Sequence, residues 1–204
     1  MSANRPPLKL THSQFLIGAG LLEGGLLATA FFLGWLMDYW PTQDLRWDAL
    51  DFGYGLAATG PLFLLMFAML ILPGSGVQQI REFLRDTVGP LLIRCRILDL
   101  FFLAVLAGLC EEILFRGFLY GWMSQHNHIL AVILCNLIFA LAHWVTPMYG
   151  FLAAMAGLYL TALLAVDPSP NLLLPVTTHT VYDFVAFLLI AADFRRHRQS
   201  QVAD

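Results

Sequence analysis

Charge is what this sequence has least of. Only 12% of its 204 residues are Asp, Glu, Lys or Arg, whereas 59% are hydrophobic. Soluble domains carry charge on roughly a quarter of their residues, so the chain is read as an integral membrane protein. Basic residues are few and the formal net charge is −3, which leaves no electrostatic footprint for nucleic acid. The three cysteines, Cys95, Cys110 and Cys135, show no metal-site spacing. Cys110 and Cys135 fall inside apolar runs, which argues against a disulfide framework. Cys110 directly precedes Glu111 and is read as a small core residue rather than a nucleophile. There is no HExxH motif, no internal repeat and no separate soluble domain. The first apolar run is too long for the core of a cleavable signal peptide.

What is present is a succession of six apolar runs, at about 14–37, 52–72, 97–122, 129–145, 149–166 and 171–192, each near the length that spans a bilayer. The expected fold is all-α: a polytopic membrane helix bundle of about six transmembrane helices plus an interfacial amphipathic helix. That interfacial helix is expected over 77–96, where Arg81, Arg85, Arg94 and Arg96 lie among apolar residues, interrupted near Gly89-Pro90. Two units are expected. Residues 1–96 are N-terminal membrane helices and the interfacial helix; residues 97–204 are a four-helix core with a basic C-terminal tail. The first run holds Gly20 and Gly24, a GxxxG spacing that permits close helix packing. It also holds a lone acid, Glu23, which either helps a site or bonds a neighbouring helix. His126 and His128 are read as part of a solvated turn. Six crossings put both termini on one side. Arg5, Lys9, the four arginines of 77–96 and Arg195, Arg196 and Arg198 fall on that side, and only Arg46 falls in the opposite loops. Both termini are therefore expected in the cytoplasm, with the protein in the plasma (inner) membrane.

Against this apolar background stands Glu111-Glu112-Ile113-Leu114-Phe115-Arg116. Each charged group at mid-membrane costs about 2.5–3.5 kcal/mol on insertion scales, so such groups sit in a bundle interior or a wet cavity and mark function. Two later runs carry His143, and His179 with Asp183. At 1.5 Å per helical residue, Glu111 lies about 16 Å below the outer end of its run, His143 about 21 Å, and His179 and Asp183 about 12 and 18 Å. Three helices thus place ionisable groups at one level. Glu112 and Arg116 are spaced i,i+4 and can pair; Glu111 points about 100° away, free to face a cavity. His179 and Asp183 are also i,i+4 and can face one substrate atom or each other. Asn136 and Phe139 share the face of His143. Asn136 either orients that imidazole or is a helix-packing amide.

Glu111-Glu112-xxx-Arg116, then Phe139-xxx-His143, then His179-xxx-Asp183 resembles the three ordered motifs of the CPBP intramembrane proteases, the family of CAAX prenyl endopeptidases and bacteriocin-processing enzymes. The resemblance covers about 97–192. It implies hydrolysis of a peptide bond of a membrane-associated peptide or protein substrate within the lipid bilayer. Glu111 would be the general base assisted by His143, with His179 and Asp183 stabilising the oxyanion. Many members end the last motif in Asn; an ionised Asp183 cannot donate the hydrogen bond an amide would. No cofactor is favoured, although Glu111, His143 and His179 could together supply a zinc set of two imidazoles and one carboxylate. Two other classes compete: a non-catalytic membrane chaperone or immunity-type binder of the same fold, and a proton-coupled transporter.

Overall fold

A computed structural model of the chain describes residues 10–165 and 169–203. Arg5 and Lys9 of the leader, Val166 at the end of the fifth apolar run, and Asp167 and Pro168 of the following turn lie outside the described residues. Among those described, all regular structure is helical. Helix α1 (His12–Leu36) starts at a reciprocal cap: Gln14 N–H donates to the Thr11 hydroxyl and Thr11 N–H donates to the Gln14 side chain, satisfying two donors that a helix start leaves free. Asp48 caps α2 (Ala49–Ile71) by accepting from Leu50 and Asp51 N–H. Pro73 and Gly74, the latter at φ 143°, then turn the chain.

The interfacial segment forms α3 (Ser75–Phe83), a π-helical turn (Leu84–Val88) and α4 (Gly89–Leu92). The expected interruption is present but falls one turn earlier than Gly89-Pro90. Pro90 lacks an N–H and its ring crowds the carbonyl four residues back, and the chain meets this by widening the preceding turn instead of breaking. Arg85 forks onto Asp86 at 2.8 and 3.0 Å and holds that carboxyl below the usual range.

The next helical run is continuous but not uniform. Helix α5 (Ile97–Glu112) passes into an eight-residue π-helix (Ile113–Tyr120) and then α6 (Gly121–Ser124). Helix α7 (His128–Ala142), capped by Asn127, is followed by α8 (Pro147–Ala165) and α9 (Leu173–Ala203). Four of these helices, α1, α2, α8 and α9, are long and apolar enough to cross a membrane, while α7 is shorter. The protein is a multi-pass membrane protein. Helix α9 runs past the expected end at 192, for about 46 Å in all, carrying Arg195, Arg196 and Arg198 beyond the apolar stretch. Trp35, Trp40 and Trp47 are exposed together near the loop joining α1 and α2, as aromatic residues are at a membrane surface.

Helix α9 is the axis of the bundle: α5, α2, α4 and α8 all pack on it, while α1 lies along α5 and α7 against α8 and the π-helix. Two glycines set the approach of α2 and α5 to α9. A Cβ on Gly55 would lie 2.7 Å from Thr177 Cβ, and one on Gly108 would lie 2.9 Å from Thr180 N. Bare backbone at these points lets α2 and α5 reach α9. A Cβ on Gly20 or Gly24, by contrast, would meet nothing within 4 Å. The close packing that the GxxxG spacing permits is not used by that pair within the described residues. Asn171 joins the far end, donating to Asp51 at 2.7 Å and to the Arg46 carbonyl at 3.0 Å.

Candidate active site

The Glu112–Arg116 spacing closes into an ion pair of 2.9 Å in which neither side chain is exposed to solvent. The pair survives the change from α- to π-helix directly after Glu112. The wider π turn exposes no face: seven of its eight residues are buried, Arg116 among them. Short π segments are found disproportionately at functional sites. Arg116 is held from three further directions. Its guanidinium donates to the Gly157 carbonyl at 2.8 Å and to Thr161 Oγ1 at 3.4 Å, and it lies 4.5 Å over the Phe139 ring. Such a stacked guanidinium gains from the ring's negative face. Gly157 is required for this, since a Cβ there would meet Asn136, Phe139 and Arg116 at 2.8–3.1 Å.

Glu112 has a second partner from the far end of the chain. His179 Nδ1 lies 2.9 Å from the same Glu112 oxygen that receives Arg116. His179 Nε2 turns the other way, 3.6 Å from Asp183 Oδ2. One imidazole is thus suspended between a carboxylate on α5 and another on its own helix. The Gly108 contact one turn before Glu112 makes the reach possible.

Glu111 does turn away from Arg116, as its position one residue earlier requires. Its carboxylate lies against His143: Oε2 is 3.7 Å from His143 Nε2, and that oxygen is enclosed without a hydrogen-bond partner. His143 is not in the body of its helix as expected. Helix α7 ends at Ala142, and His143 is the capping residue at φ −100°, ψ 16°. Its Nδ1 lies 2.9 Å from the Phe139 carbonyl, which also accepts the His143 backbone N–H at 3.2 Å. An N–H at Nδ1 satisfies that carbonyl and turns Nε2 toward Glu111. Phe139 completes the arrangement by stacking on His143 at 4.4 Å and meeting His179 edge-on at 6.4 Å.

Asn136 does not reach His143. Its amide donates to the Val132 carbonyl at 2.8 Å and its oxygen accepts from Thr161 at 3.3 Å, so it ties α7 to α8 beside Arg116. Glu23 is also not joined to a neighbouring helix through its Oε2, which is enclosed and unpartnered; its electrostatic neighbours are Glu111, His179 and Asp183.

A cavity of about 520 Å³ opens onto this cluster. Its lining includes His143, His179, Asp183, Tyr149 and Tyr182, the apolar Met66, Met69 and Leu189, and the basic Arg81, Arg85 and Arg196. The apolar part of the lining suits a hydrophobic chain. Glu111, His143 and His179 do not present a zinc set here. His179 has one nitrogen on Glu112 and the other toward Asp183. Among the described residues, the one trio of such side chains whose ligand atoms lie within 4.8 Å of one another is elsewhere in the molecule.

The interactions that sequence reading missed are Glu112–His179, the Gly108 and Gly157 contacts and the bonds of Thr161 to Arg116 and Asn136. Each joins separate helices, and no local pattern signals them.

Residues 94–185 match the family model described as Type II CAAX prenyl endopeptidase Rce1-like. The match contains all three motifs and stops two residues after Asp183. No curated protein and no solved structure matches the chain.

Proposed function

With residues 94–185 Rce1-like and the surrounding chain a multi-pass membrane protein, we propose that it is an intramembrane endopeptidase that hydrolyses a peptide bond of a membrane-associated protein or peptide. In this reading Glu111 and His143 activate the water, and His179 and Asp183 attend the carbonyl oxygen. The observation that carries it is the division of labour between two adjacent glutamates. Glu112 Oε1 is committed to both Arg116 and His179, whereas Glu111 has neither partner and its Oε2, without a hydrogen bond, lies 3.7 Å from His143 Nε2.

With the His143 proton on Nδ1, Oε2 and Nε2 are two acceptors that cannot bond directly, and one water donates an O–H to each. Glu111 takes the proton as the water oxygen attacks the carbonyl carbon, and the same carboxyl then delivers it to the departing amine. Negative charge develops on the carbonyl oxygen. His179, fixed by its Nδ1–H bond to Glu112, donates to it from Nε2 when the imidazole carries its second proton. Asp183, with Oδ2 3.6 Å from Nε2, faces that nitrogen as an ion-pair partner in the resting enzyme and leaves its N–H free for the oxyanion. Zinc, if bound by Glu111, His143 and His179, would supply Lewis-acid polarisation of the carbonyl; the donor set does not converge, and no step is routed through it.

The same reading counts six crossings: the four long helices, the 97–124 run and α7. It puts both termini in the cytoplasm and the protein in the plasma membrane, supported by the one-sided distribution of arginines. The test is a comparison of membrane proteomes between wild type and Glu111→Ala. The expected result is at least one precursor that stays uncleaved in the variant and is cut by the purified wild-type protein. Identical proteomes, with a partner protein lost from the variant's complexes, would instead support a non-catalytic binder.

A further inference from the structure

We propose that the chain carries a second site, for a zinc-class divalent metal ion, built from His12, Cys95 and Asp99. The ligand atoms of these three side chains lie within 4.8 Å of one another. They come from three separate segments: the first residue of α1, the turn after α4 and the first turn of α5. Asp99 is twelve residues from Glu111 along one helix, about 18 Å, so the site is independent of the glutamate pair and does not rest on the peptidase reading.

Bonds outside the trio hold these segments in place. Asp99 Oδ2 accepts from Arg96 N–H at 2.7 Å, and Arg94 donates to the Leu10 carbonyl at 2.5 Å, which pins the chain two residues before His12. His12 Nε2 and Asp99 Oδ2 are 3.0 Å apart, close to the ligand–ligand separation of a tetrahedral ion. An ion pair alone accounts for these two groups but not for Cys95. That residue is buried, 7% exposed, with its sulfur within 4.8 Å of the other two ligand atoms and bonded only weakly, at 3.7 Å to the Leu91 carbonyl. One imidazole nitrogen, one sulfur and one carboxylate oxygen form a borderline-soft set that suits zinc, with a fourth position left for water. The His12 and Asp99 side chains are 39% and 23% exposed, so an ion can enter from the surface. Binding forms the metal–sulfur bond and releases the thiol proton to solvent. The bound ion would clamp the start of α1 onto the start of α5.

The test is a cobalt titration of the full-length, detergent-solubilised protein after stripping with a chelator. Cobalt reports a thiolate ligand by a sulfur-to-metal charge-transfer absorption, which Glu111, His143 and His179 cannot produce. The expected result is a saturable band in wild type that is abolished in Cys95→Ala and retained in His143→Ala and His179→Ala. His12→Gln, at a half-exposed position, should weaken cobalt binding by about tenfold or more, which keeps the test decisive if Cys95→Ala does not fold. Absence of the band in wild type, its persistence in Cys95→Ala, or unchanged affinity in His12→Gln would overturn the site.

Discussion

Helix α1 and the π-helix after Glu112 are both apolar stretches in the same membrane bundle, yet they are built on opposite terms. Of the 25 residues of α1, Ala30 and Gly34 are the buried ones; Leu21, Leu22 and Trp35 are more than 60% exposed. In the π-helix seven of eight residues are buried, around a guanidinium that no solvent reaches. Lipid solvates the side chains of α1 as well as protein would, so its hydrophobicity fixes its depth and little else. The π-helix is surrounded by protein because it carries charge that lipid cannot solvate. The contrast predicts where substitutions will matter.

Removing the cation should have the largest effect on stability. Arg116→Ala leaves Glu112 as a buried carboxylate with only His179 for a partner, a loss of about 3–5 kcal/mol. The expected outcome is a markedly lower melting temperature in detergent, partly restored when Glu112→Gln is added. A variant as stable as wild type would break the comparison at its strongest point. Gly108→Ala should come next. Its Cβ would press on Thr180 backbone at 2.9 Å, and prising α5 from α9 costs about 1–3 kcal/mol, as overpacking does. Because that movement draws Glu112 away from His179, turnover should fall together with the melting temperature. Leu21→Ala, on the lipid face of α1, should change stability by about 0.5 kcal/mol or less. A larger loss would mean that this face is covered, for instance by a second copy.

The same contrast explains how far the sequence alone could be read. Helix positions were legible because twenty-residue apolar runs have few alternatives in a membrane. The Glu112–Arg116 pair was legible because i,i+4 neighbours meet in any helix of about this pitch. His179 on Glu112 was not, since 67 residues separate them and both had nearer partners by spacing. The π-helix was not, because Ile113–Tyr120 reads like the rest of its run; the widening follows from what surrounds it. Asn136 had two readings until Thr161 was seen beside it. Cys95 and Asp99 are four residues apart, a spacing that signals no metal by itself, and His12, the third member, comes from the start of α1.

Chelation separates the two proposed sites. Stripping metal should lower the melting temperature by releasing the clamp between α1 and α5, yet leave turnover intact below that temperature. Loss of activity that zinc alone restores, together with loss of bound zinc in His143→Ala or His179→Ala, would move the metal to the glutamate site and replace the proposed mechanism.

The central claim is that two adjacent glutamates have been given different work by their surroundings. Its most direct test is turnover and melting temperature measured side by side for purified Glu111→Gln and Glu112→Gln. An amide at 111 keeps the shape but cannot take a proton from water, so turnover should fall by about a hundredfold or more with the melting temperature nearly unchanged. An amide at 112 should lower the melting temperature through the loss of its bonds to Arg116 and His179. Near-normal turnover by a folded Glu111→Gln protein would contradict the assignment.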